Sequence, residues 1–82
     1  MTKLQRLVLD ALDQLGDMTD HELEVACLIS PNRRGGFRAT LRSLFSRGYV
    51  TYEEIPDAQI KITKEGVFAI EADNYAQLPD RV

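Results

Sequence analysis

The hydrophobic period of this 82-residue chain changes at Gly48. Before that point apolar residues recur every three or four positions. Leu4, Leu7, Val8, Ala11, Leu12 and Leu15 draw one stripe, and Phe37, Leu41, Leu44 and Phe45 draw another. Each is the pattern of a helix with one buried side. After Gly48, Tyr49, Val50, Thr51 and Tyr52 are strand formers, and Ile60 and Ile62 alternate with Gln59, Lys61 and Thr63. The residues between the two runs, Glu54 to Ala58, contain a Pro56-Asp57 turn pair, so the pattern predicts an antiparallel hairpin. A chain this short buries only about 60% of the surface it exposes when unfolded, so all of these faces must share one core.

Start and stop signals set the element boundaries. The first helix is expected from about Thr2 to Leu15, with Gly16 as its stop. Thr19 and Glu22 have the spacing of a capping box, flanked by Met18 and Leu23 as a hydrophobic staple, which opens a second helix from Asp20 to about Cys27. Ser30 followed by Pro31 repeats the start signal, with the serine as side-chain cap, for a third helix ending at Gly48. Gly35 and Gly36 each cost roughly 1 kcal/mol relative to alanine inside a helix, so regular helix is expected to begin only near Gly36. Thr63 caps a fourth helix, with Ile62 and Val67 as its staple and Val67, Phe68, Ile70, Ala72 and Tyr75 as its buried positions. The predicted fold is mainly α with a small β-hairpin, in the order helix, helix, helix, strand, strand, helix. Its expected core is Leu7, Leu12, Leu23, Ala26, Leu41, Leu44, Phe45, Val50, Ile60 and Ile62. One domain over residues 1–76 is expected, followed by a flexible tail, 77–82.

Charge is unevenly placed on this framework. Five of the ten basic residues, all arginine, fall between Pro31 and Gly48 with no acidic residue among them. Five basic and thirteen acidic residues remain elsewhere, so a segment of +5 sits in a chain whose net charge is −3. Such asymmetry points to a polyanionic partner or a docking face. Arg38 and Arg42 lie four apart, opposite the Phe37-Leu41-Leu44 stripe. A charge run on a helix is most often a solvated face, but such a face usually interleaves Glu or Asp, and this one does not.

Chemistry of other kinds finds little support. A single cysteine cannot close an intramolecular bridge, and charges at Lys3, Arg6, Asp10 and Asp13 interrupt any signal peptide or membrane span, so a cytoplasmic setting is expected. One cysteine and one histidine cannot assemble a structural zinc site, and no glycine-rich loop follows a strand. Neither an enzyme nor a cofactor is expected. Cys27 reads as a small core residue, His21 as an exposed residue of the second helix, and the tyrosines 49, 52 and 75 as packing residues, with stacking on single strands as the alternative.

TDHELEVACLISPN, RATLRSLFSRGYV and ITKEGVFAIEA together resemble the winged helix-turn-helix family of DNA-binding domains, most closely its small bacterial and bacteriophage members. The resemblance covers about residues 2 to 73 and implies a two-helix unit with Ala26 at its crossing, a recognition helix over about 31–47, and a two-stranded wing. It further implies that the recognition helix enters the major groove of double-stranded DNA, with Asn32, Arg33, Arg34, Arg38 and Arg42 as contacts. Helical rotation places Ser43 and Ser46 on the same outer face and sets Arg33 and Arg47 toward the flanks as phosphate clamps. Gly35 and Gly36 read equally as close backbone approach to DNA or as a flexible helix start. The chain departs from the family in having Leu28 where glycine is frequent in the helix turn, which is expected to shift the turn conformation. It departs again in an acidic wing of Glu53, Glu54 and Asp57. The implied function is a small transcriptional regulator or phage control protein, binding as a homodimer on a two-fold site. The alternative is an interaction module whose arginine face grips an acidic protein.

Overall fold

The computed structural model describes residues 1–53 and 55–76. Along the chain lie α1 (Lys3–Leu15), β1 (Met18–Thr19), α2 (Asp20–Ala26), a 3-10 turn (Pro31–Arg33), α3 (Arg34–Ser46), β2 (Val50–Thr51), β3 (Gln59–Ile62) and α4 (Lys64–Ala76). The expected tail, 77–82, and Glu54 of the wing lie outside the described residues.

Local signals account for most of these boundaries. The Thr19 hydroxyl accepts the Glu22 N–H at 3.2 Å, and the Glu22 carboxylate accepts the Thr19 N–H at 3.0 Å. That reciprocal pair satisfies two amides otherwise orphaned at the start of α2. The Thr19 N–H first, and its hydroxyl second, hold the Glu22 carboxyl below the ordinary glutamate value. Glu22 therefore helps stabilise the fold above that value, and the help is lost as pH falls through the lowered one. Thr19→Ala is expected to cost about 1 kcal/mol in thermal unfolding, and an unchanged melting temperature would mean the cap does not act.

Both turns after α2 and α3 close with the same pair of hydrogen bonds. At Gly48, with φ of +76°, the Gly48 N–H reaches the Phe45 carbonyl at 3.0 Å and the Tyr49 N–H reaches that of Leu44 at 2.9 Å. At Leu28, φ is +57°, the Leu28 N–H reaches Val25 at 3.1 Å and the Ile29 N–H reaches Glu24 at 2.9 Å. Leu28 thus adopts the left-handed conformation glycine would take, rather than shifting the turn. A side chain there costs about 1–2 kcal/mol, which the two closing hydrogen bonds offset.

Several expectations are corrected. Ser30 does not cap the backbone, because its hydroxyl donates to the Asn32 amide oxygen at 2.7 Å. Regular helix begins at Arg34 instead of Gly36, because the 3-10 turn Pro31–Arg33 leads directly into it, with the Arg34 N–H on the Pro31 carbonyl, and the helix runs on through Gly35 and Gly36. The buried side of α1 is Val8, Leu9 and Leu12, with Leu7 and Leu15 exposed. Ala26 is exposed, and Leu23 and Cys27 make the inner face of α2. Phe45 is half-exposed beside Tyr52, and Ile62 is only partly buried. On α4, Phe68, Ala72 and Tyr75 face outward while Gly66 and Ile70 are buried, because α1 packs against one side of this helix only.

The wing gains a strand. β3 pairs antiparallel with β2, Val50 opposite Ile62, and with β1, Met18 opposite Ile60, so β3 is the central strand of three. The extended backbone that makes Thr19 an N-cap, φ −68° and ψ 164°, also lets Met18 and Thr19 join the sheet. At the far end of β3 the Thr63 hydroxyl accepts the Gly66 N–H at 3.1 Å, opening α4. A Cβ on Gly66 would lie 2.3 Å from the Tyr49 carbonyl oxygen, which is itself held by the Thr63 N–H at 3.0 Å. Gly66→Ala is therefore expected to destabilise by about 1–3 kcal/mol, against the helix propensity that favours alanine, as read by urea denaturation.

Candidate nucleic-acid interface

The arginine-rich helix α3 turns Phe37 and Leu44, both fully buried, and Leu41 into the core. Arg38 and Arg42 follow from that rotation: about 100° and 140° round the helix from Phe37, they are exposed on the flank of the buried stripe, beside Leu41, and not directly opposite it. Among the described residues neither takes part in an ion pair. Both line a groove of about 400 Å³ between α3 and the wing. Its floor is apolar, from Leu41, Ile60 and Tyr52, and its far wall carries Glu53, Ile55 and Asp57. The wall is shaped by a turn in which the Ala58 N–H reaches the Ile55 carbonyl at 3.2 Å and Asp57 takes φ of +59°. Asparagine and aspartate tolerate that conformation, so a Pro-Asp pair suits the turn.

The other arginines occupy different surroundings. Arg34 Nε lies 3.3 Å from Glu24 Oε2, across the elbow between α2 and α3. Arg33 is exposed at the junction of the 3-10 turn and α3, and Asn32, also exposed, has its amide oxygen engaged by Ser30. Arg47 lines a cleft with Gln5, Tyr49 and Asp73, between the start of α1 and α4 and away from the groove that holds Arg38 and Arg42. Ser46 is exposed. Ser43 is drawn inward, contrary to its expected outward position, and its hydroxyl accepts the Gln5 side-chain amide at 3.3 Å. The structure brings Arg38 and Arg42 together, and separates them from Arg47.

Three features of this region escaped the sequence reading. Asp20 lines the arginine groove from the start of α2. Phe45 and Tyr52 form a tilted aromatic pair, ring centroids 4.9 Å apart at 51°, that fixes the base of the wing against α3. Glu24 is buried with Arg34 as its partner. Only the aromatic pair had a local signal, two aromatic residues flanking the Gly48 turn. Cys27 is buried in the core, and burial pushes its thiol up from the ordinary value, consistent with a packing role. Among the described residues no helix is long and apolar enough to cross a membrane.

No family model and no curated protein matches the sequence. Among solved structures, the chain is similar to the crystal structure of transcriptional regulator Tm0710 from Thermotoga maritima, with a TM-score of 0.71 over 93% of this chain. The fold is a winged helix. Identity to that structure is 21%, and the winged helix spans 57% of its length. In this winged helix, α2 and α3 are the helix-turn-helix pair, and β2, β3 and the turn between them are the wing.

Proposed function

We propose that this winged helix binds double-stranded DNA sequence-specifically through α3, as a small transcriptional regulator or a control protein of a phage or mobile element. The observation that carries the reading is the pair Arg38 and Arg42, exposed and free of ion pairs among the described residues, on the helix a winged helix presents to the major groove. Arginine forks match guanine O6 and N7 or phosphate. Asn32 and Arg33 extend the contact at the start of the helix, and Ser46 and Arg47 extend it at the end, with Arg33 and Arg47 on phosphate. The likeness to a transcriptional regulator supports the same reading.

A single domain of this size offers few phosphate contacts, so the DNA complex is a homodimer on a two-fold site whose half-sites lie about 34–36 Å apart. Leu7 on α1 and Phe68 and Tyr75 on α4 are the exposed apolar residues that suit its dimer surface. The apolar floor of the groove, from Leu41, Ile60 and Tyr52, favours a second reading, in which the arginine groove holds an acidic protein segment against Arg38 and Arg42. Salt titration separates the two. Duplex binding should weaken with salt in proportion to the phosphates neutralised, with a slope of about −0.9 per contact in log K against log salt. Absence of salt-sensitive duplex binding, together with capture of an acidic protein through these arginines, would establish the second reading instead.

Glu53 and Asp57 place carboxylates on the wall facing Arg38 and Arg42. Neutralising Glu53, Glu54 and Asp57 together should strengthen duplex binding or leave it unchanged, because like charges near phosphate oppose approach. Weaker binding by fluorescence anisotropy would mean that these carboxylates make a contact DNA needs.

A further inference from the structure

We infer that Arg34 is a positioning residue: it satisfies the buried carboxylate of Glu24 across the helix-turn-helix elbow and thereby leaves Arg38 available to DNA. The inference rests on the DNA-binding reading above and gives Arg34 a different role within it. Glu24 is the buried charged residue among those described, its side chain 10% exposed, whereas the Arg34 side chain is 49% exposed. Their contact, Nε to Oε2 at 3.3 Å, joins the last turn of α2 to the first residue of α3. No side chain caps α3, and Gly35 and Gly36 follow at once, so the pair is the side-chain tie that fixes where α3 begins.

Arg38 shares a cleft with Glu24 and Arg34, together with Asp20 and His21. It stands one helical turn beyond Arg34, on the same side of α3. A buried carboxylate that lost Arg34 would be left uncompensated, and the nearest cation along that side is Arg38. Arg34 therefore prevents Glu24 from drawing Arg38 out of the wing groove. The contact with Glu24 engages Arg34 through Nε, so a phosphate contact by Arg34 would have to be made by its Nη groups while Nε stays on Glu24.

The test compares Arg34→Gln, Glu24→Gln and the Glu24→Gln/Arg34→Gln double variant, in the full chain, on a duplex the wild-type protein binds. Arg34→Gln should bind about tenfold more weakly, and the double variant should recover to within about threefold of wild type with an unchanged salt slope, the coupling expected of residues in contact. The neutral pair spans the same gap without a buried charge, so the double variant keeps the fold even where Arg34→Gln does not. A double variant as weak as Arg34→Gln, with a salt slope about one unit shallower than wild type, would make Arg34 a DNA contact and overturn the inference. So would tighter binding by Glu24→Gln alone. A wild-type protein without salt-sensitive duplex binding would defeat the DNA-binding reading and not the elbow tie, which hydrogen exchange reads separately. Exchange at the amides of Gly35, Gly36 and Phe37 should quicken in Arg34→Gln and return toward wild type in the double variant. Equal exchange in all three variants and wild type would overturn the tie.

Discussion

Phe37→Ala should cost about 3–5 kcal/mol of folding stability. Phe37 is fully buried and lies on the inner side of α3, in a core shared with Leu9, Leu12, Leu23 and Val50. Truncating it removes the transfer free energy of a phenyl ring and leaves a cavity that the surrounding helices close only in part. Small domains have about 5–15 kcal/mol in total, so this one substitution takes a large share. Urea denaturation is the measurement, and a midpoint shift without a change of slope separates lost stability from a changed unfolded state. Phe37 is also next to Arg38 in sequence, so DNA binding by this variant is to be compared only under conditions where urea denaturation shows it folded. A loss of less than about 1 kcal/mol would mean that α3 packs on the core by a different face.

Which features were legible in the sequence follows from the range of the interaction that fixes each. Thr19 with Glu22, Gly16, Gly48 and Thr63 act within a few residues, and each ends or begins an element where the local signal places it. Rotation of a helix about its axis is not local in this sense. On α1 the apolar residues Leu4, Leu7, Val8, Leu9, Ala11, Leu12 and Leu15 cover too much of the circumference for periodicity to choose a centre. Packing against α2, α3, α4 and β3 chooses Val8, Leu9 and Leu12. The same ambiguity on α4 let Phe68 and Tyr75 read as core, though they are 63% and 79% exposed. Strand β1 has two residues and no period to detect, and only its partner β3 reveals it. The Glu24–Arg34 pair spans ten positions and a left-handed turn, so nothing in the spacing joins them.

Within the candidate site the arginines divide along the same line. The turn of Arg38 and Arg42 away from Phe37 is a property of one helix, and their exposure follows from it. Ser43 lies on the border of that face, where the Gln5 amide from α1 decides its direction. Arg47 falls at the end of the helix, and the position of α4 sets its surroundings. A helical wheel therefore identifies the centre of the arginine face but not its edges.

Arg38→Ala and Arg42→Ala should each weaken duplex binding while leaving the fold intact. Both side chains are exposed and free of ion pairs among the described residues, so their removal should change stability by less than about 0.5 kcal/mol, the range of ordinary surface substitutions. An arginine that forks onto guanine contributes about 1–3 kcal/mol and sets the preference at one base pair, so the double variant should lose about 2–6 kcal/mol where the two act independently. Competition binding against duplexes altered one base pair at a time reads the distinction. Loss of preference at a single position marks a base contact, whereas uniform weakening with a salt slope shallower by about one per residue marks a phosphate contact. Arg33→Ala and Arg47→Ala should give the uniform result, since both lie toward the flanks of the helix. Full affinity in a folded Arg38→Ala/Arg42→Ala protein would remove the wing groove from the DNA interface, because no other pair of arginines on α3 shares one exposed surface without a carboxylate partner among the described residues.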